Sequence, residues 1–135
     1  MQSLCKRVLT LLPVVVLAAC AVGPGKFGGS AALENSVEAR WSSLVRSDLA
    51  GAYAFLSPAA RETTSFEKYA GSLKPGLWRS GSIAKVDCAT EDLCTVDVNV
   101  KYVFKPRNGP AIENVRVLSE IWRQVGGEWW FVPAD

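Results

Sequence analysis

In Cys94-Thr95-Val96-Asp97-Val98-Asn99-Val100-Lys101-Tyr102-Val103-Phe104-Lys105, apolar side chains at 96, 98, 100, 102 and 104 alternate with Thr95, Asp97, Asn99 and Lys101. Successive side chains of a strand point to opposite faces, so a period of two predicts a long strand over 94–105 with one buried and one wet face. A sheet with one solvated face is characteristically antiparallel. The neighbouring sequence supplies partners. A strand over 83–89 leads in through the loop Ala89-Thr90-Glu91-Asp92-Leu93, and Pro106-Arg107-Asn108-Gly109-Pro110 is a turn cluster. A third strand is expected over 114–125, then a tight hairpin at Gly126-Gly127 and a fourth strand over 128–132.

Upstream of Gly81 the period is that of a helix. Leu33, Val37, Trp41, Leu44 and Val45 form one apolar stripe, with Glu34, Glu38, Arg40 and Arg46 assigned to the other side. Asp48 is placed to cap a second helix that carries Leu49, Ala52, Tyr53, Phe55 and Leu56 until Pro58 intervenes. Thr64 with Glu67 has the form of a capping box for a third helix, ended by Lys74-Pro75-Gly76. Three helices followed by a four-strand meander make an α+β domain, the helical stripes covering the apolar face of the sheet.

Ahead of this domain lies a different kind of sequence. Residues 1–19 read as a signal peptide, with Lys6-Arg7 as its basic start and an apolar run over 8–19. Twelve residues are too few to cross a hydrocarbon core of roughly 30 Å. The run closes on Leu17-Ala18-Ala19-Cys20, which resembles a bacterial lipobox, so Cys20 is the expected site of lipid attachment. Each buried acyl CH₂ contributes about 0.8 kcal/mol, so several chains hold a protein where one would not. Residues 20–30 then form the lipidated start and a Gly-rich tether. Ala21, rather than aspartate, follows the cysteine, which by resemblance to lipoproteins of Gram-negative bacteria points to the outer membrane, with the domain facing the periplasm.

Composition narrows the chemistry. Beyond Cys20 there are thirteen basic and thirteen acidic side chains, a balance that leaves no electrostatic footprint for nucleic acid. There is no histidine, which removes the commonest general base and metal ligand. No cofactor or metal motif stands out. With Cys5 discarded and Cys20 acylated, Cys88 and Cys94 remain as an isolated pair, expected to form a disulfide across the first hairpin in an exported protein. Their spacing is not that of a CxxC redox motif.

Trp41, the turn Tyr53-Ala54-Phe55-Leu56-Ser57-Pro58 with Arg61, the segment Ser65-Phe66-Glu67-Lys68-Tyr69, the cysteine pair, and the closing Trp122 and Trp129-Trp130-Phe131-Val132 resemble small proteobacterial lipoproteins with a nuclear transport factor 2-like (cystatin-like) domain. The resemblance spans about residues 31–133, in a domain running over 31–135. It implies a curved antiparallel sheet wrapped round helices into a cone. Enzymes of that superfamily, isomerases and dehydratases, use a carboxylate inside the cone as a general base, and many members bind without turnover.

Asp87, Asp97, Glu120 and Glu128 are the strand carboxylates, and all four are read as solvated charges, leaving no catalytic residue to name. Trp129 and Trp130 are adjacent in a strand and must face opposite sides, so at most one is core. These two and Tyr102 are the candidate contacts for a partner or ligand. Arg61 is expected in a salt bridge, and Lys101, Lys105 and Arg107 are read as a basic edge strand. The function expected is a lipid-anchored cell-envelope protein whose domain is a non-catalytic binding or assembly module. Its partners would be the membrane, through the lipid, and an envelope protein or small hydrophobic ligand. The alternatives are a small isomerase- or dehydratase-like enzyme and a carrier of a small hydrophobic ligand.

Overall fold

The computed structural model describes residues 30–134. The expected signal peptide, the lipid site Cys20 and the tether up to residue 29 lie outside the described residues. The chain runs α1 (Ala31–Val45), α2 (Leu49–Tyr53), α3 (Pro58–Thr63), α4 (Phe66–Ser72), β1 (Trp78–Thr90), β2 (Leu93–Phe104), β3 (Ile112–Val125) and β4 (Glu128–Val132). The four strands form one antiparallel meander in the order β1-β2-β3-β4, with helices packed on one face. The architecture is therefore α+β.

α1 is capped by Ser30, whose hydroxyl accepts from the Leu33 amide, and its stripe of Leu33, Val37, Trp41 and Leu44 is buried. Arg40, assigned from its charge to the solvated side, is instead buried with them. Asp48 caps α2 as expected, accepting from the Gly51 amide. Pro58, expected to end a helix, begins one. α3 has Ser57 as its cap and Pro58 in its first turn, where the missing amide proton of proline costs nothing. The cap of α4 is Ser65, accepting from the Lys68 amide, rather than Thr64, which closes α3.

In the sheet, Val96, Val98 and Val100 of β2 are fully buried beneath the helices. Burial of each contributes roughly 1.5 kcal/mol or more. Tyr102 is half-buried, and Phe104, expected on the covered face, is exposed. β1 starts five residues earlier than its alternation predicts, because register shifts break its period. One of them, between Ile83 and Lys85, brings Ile83 opposite Val98 and Val86 opposite Val96, so both face the helices although three residues apart. Gly81 permits the closest approach of helix and sheet. A Cβ there would stand 2.6 Å from Cδ2 of the Trp41 indole. Gly126 and Gly127, at φ 62° and 81°, turn β3 into β4 with the left-handed backbone that a two-residue hairpin needs. β2 is interior, so Lys101 lies on no edge strand; its ammonium faces Glu113 across the β2–β3 ladder at 3.7 Å.

The linker between α2 and α3 lies against β4. Phe131 donates its amide to the Phe55 carbonyl at 2.8 Å, and the Ser57 amide donates to the Phe131 carbonyl at 2.9 Å, an isolated parallel bridge centred on Leu56.

Candidate functional site

Strand parity sorts the candidate residues. Leu118, Glu120 and Trp122 of β3 face the helices, opposite Val98, Val96 and Cys94 of β2. Glu120 is thus not the solvated charge its type suggested, being only 6% exposed. Its Oε1 accepts from Arg40 Nη1 at 2.6 Å, and its Oε2 accepts from the Trp122 indole at 3.0 Å. Arg40, 5% exposed, lies with its Cζ 3.7 Å from the Phe131 ring centroid. Removal of charge from water is costly, and pairing with hydrogen bonds offsets it. Alternation did carry a signal for this pair: Glu120 shares a face with Trp122, and Arg40 lies three and seven residues beyond Val37 and Leu33.

Two cavities meet at Arg40. The smaller, about 310 Å³, lies between α1, β1 and β3, walled by Trp41, Leu44, Trp78, Leu118 and Glu120. The larger, about 660 Å³, runs beneath α3 and α4 and is bordered by Leu56, Ala60, Lys68 and Tyr69. Four groups on these walls are buried without a hydrogen-bond partner among the described residues: Arg40 Nε, Trp41 Nε1, Trp78 Nε1 and the Tyr69 hydroxyl. Burial raises the Tyr69 phenol above its ordinary value, against the opposing pull of the Arg40 guanidinium, so it stays protonated and able to donate at neutral pH.

The other carboxylates stay where the alternation puts them. Asp87 is exposed beside Lys85 at 3.2 Å, and Asp97, opposite Ser119, accepts from the Ser119 hydroxyl at 2.5 Å on the sheet's far side. Glu128 is exposed. Trp129 is core, 5% exposed, whereas Trp130 is half-buried on the far side, its ring 5.4 Å from the Arg61 guanidinium carbon. Arg61 thus stacks on an indole in place of the expected salt bridge. Both tryptophans border a hollow of about 360 Å³ with Ala32 and Phe55. Tyr102 sits at the rim of the core, edge-on to Trp78 at 6.2 Å between ring centroids. Val115, Val117, Ile121 and Val125 leave an apolar stripe exposed on β3, which the sequence reading did not single out. Cys88 and Cys94 are cross-strand neighbours with their sulfurs at bonding distance, 2.06 Å.

Neither a family model nor a curated protein matches the chain. Solved structures do. The domain is similar to SEC-C motif-containing proteins. One, from Rhodopseudomonas palustris, superposes with a TM-score of 0.57 at 13% identity, covering 74% of each chain. Another, from Psychrobacter arcticus, gives 0.53 at 12% identity over 74% of this chain and 58% of that one. At such identities the likeness is one of fold.

These neighbours are of a different fold family, and they correct the expected membership among lipoproteins with a nuclear transport factor 2-like domain. The residues that carried that resemblance explain why it misled. Trp41 covers Gly81 and meets Trp78 edge-on, while Trp122 lies between Phe55 and Phe131. Such aromatics fill the core of a helix-covered meander and identify no one family.

Proposed function

We propose that the chain is a lipid-anchored cell-envelope protein whose α+β domain binds without turnover. The observation that carries the binding half is the engagement of Glu120. It is the carboxylate on the helix-covered face, beside cavities of ligand size, and both its oxygens are taken, one by Arg40 and one by Trp122. A carboxylate engaged in this way holds Arg40 in place on the cavity walls and ties β3 to the first helix. The anchoring half rests on the Leu17-Ala18-Ala19-Cys20 sequence.

A labelled fatty acid tests the anchor: wild-type chain should incorporate it and Cys20→Ser should not. Incorporation into the variant at the wild-type level overturns the anchor. For the domain, native mass spectrometry of the protein drawn from its own envelope should recover a small molecule of unchanged mass after prolonged incubation. Its conversion into a product would favour the enzyme reading.

The exposed stripe of Val115, Val117, Ile121 and Val125 favours a second reading, contact with an envelope protein through the far side of the sheet, with Trp130 beside it. Cross-linking through position 130 tests that surface.

A further inference from the structure

We infer that the paired cavities at Arg40 take an amphipathic carboxylate, an apolar body ending in a single anionic oxygen-bearing head. This deepens the proposed binding role and rests on it. The unpartnered groups on the cavity walls set the chemistry. A guanidinium N–H, two indole N–H groups and a phenol hydroxyl are buried there without partners among the described residues. Arginine and indole nitrogens only donate, so the complement they lack is an acceptor. Buried donors left unpaired each cost free energy that a suitable ligand restores.

Charge selects among acceptors. The described residues of the two walls carry Arg40 and Lys68 against Glu120, one net positive charge that a monoanion balances. Hydrogen bonds to an ionised acceptor are the stronger kind, and a planar carboxylate suits a guanidinium edge. Apolar side chains make up much of the remaining walls, with Leu44, Leu73, Trp78 and Leu118 around the smaller cavity and Leu56 and Ala60 on the larger, where Ser57, Thr63, Thr64 and Ser72 join them. An alkyl body in these cavities gains the burial that a free anion cannot.

Octanoate is the probe, with 1-octanol and octylamine as controls of equal chain length, titrated against the full chain held in lipid nanodiscs with empty nanodiscs as blank. Octanoate should bind saturably and at least about tenfold more tightly than octanol, the worth of one hydrogen bond to a charged group. Tyr69→Phe removes a buried hydroxyl that stands beside the Arg40 guanidinium on the cavity wall. It should weaken octanoate about tenfold while the thermal midpoint holds or rises. Asp87→Asn, exposed on β1 and bordering neither cavity, should leave octanoate binding unchanged.

Absence of saturable octanoate binding, equal affinity for octanol, or unaltered binding by Tyr69→Phe overturns the inference. Saturable binding of octanol or octylamine in preference to octanoate would overturn the carboxylate alone and leave the binding role standing. Conversion of octanoate to a new mass would overturn both.

Discussion

Arg40 Nη1 and Glu120 Oε1 meet at 2.6 Å across eighty residues of sequence, one from the first helix and one from the third strand, with neither side chain more than 7% exposed. The bond ties the helical layer to the sheet at the place where both cavities converge.

Breaking that pair from one side should be severe. Glu120→Gln leaves the buried guanidinium without a counter-charge, and urea denaturation should register a loss of about 3–5 kcal/mol. Arg40→Met combined with Glu120→Met removes both charges and should recover most of it. A single variant within about 0.5 kcal/mol of wild type would mean that the pair is solvated.

Tyr69 should ionise above the ordinary phenol range when followed by phenolate absorbance of the wild type against Tyr69→Phe. Its folded pKa is raised, so the folded state holds the proton more tightly than the unfolded chain. The associated stability is complete below the ordinary phenol value of about 10 and drains away as pH climbs through the folded one. Tyr69→Phe should abolish that part of the alkaline loss. A Tyr69 phenol titrating in the ordinary range would contradict the burial.

Gly81→Ala should destabilise by about 1–3 kcal/mol, because the new methyl meets the Trp41 ring, whose other side is already packed. Thermal denaturation checks it, and an unchanged midpoint would place the helix farther from the sheet.

The tryptophan pair should separate core from surface. Trp129→Ala should cost about 3–5 kcal/mol. Trp130→Ala should stay folded by circular dichroism with about 1–2 kcal/mol lost, since the Arg61 contact and the indole's hydrogen bond to the Val125 carbonyl go with it. If the far side of the sheet docks a partner, Trp130→Ala loses that partner and Trp129→Ala loses the fold first.

The elements legible from sequence are those whose burial follows a single period. The stripe Leu33-Val37-Trp41-Leu44, the alternation through Val96, Val98 and Val100, and the Gly126-Gly127 turn all stand where the pattern puts them. β1 is harder to read because its register shifts break the alternation, and α3 because a proline that opens a helix looks in sequence like one that ends it. The site was missed for a different reason. Residue type argued for exposure at Arg40 and Glu120 while position argued for burial, and only a partner eighty residues away reconciles the two. The family resemblance rested on aromatic residues whose shared cause is packing.

The backbone hydrogen bonds that Phe131 donates to Phe55 and accepts from Ser57 join the linker between the second and third helices to β4. The helical half of the domain is therefore completed by a strand made more than seventy residues after that linker. A chain halted at Gly126 would possess every helix and three strands, yet Leu56 and Trp122 would lack the cover that Phe131 brings. A nascent chain without β4 stays unfinished, and a stop codon ahead of Glu128 should send it to proteolysis rather than yield a shortened working domain.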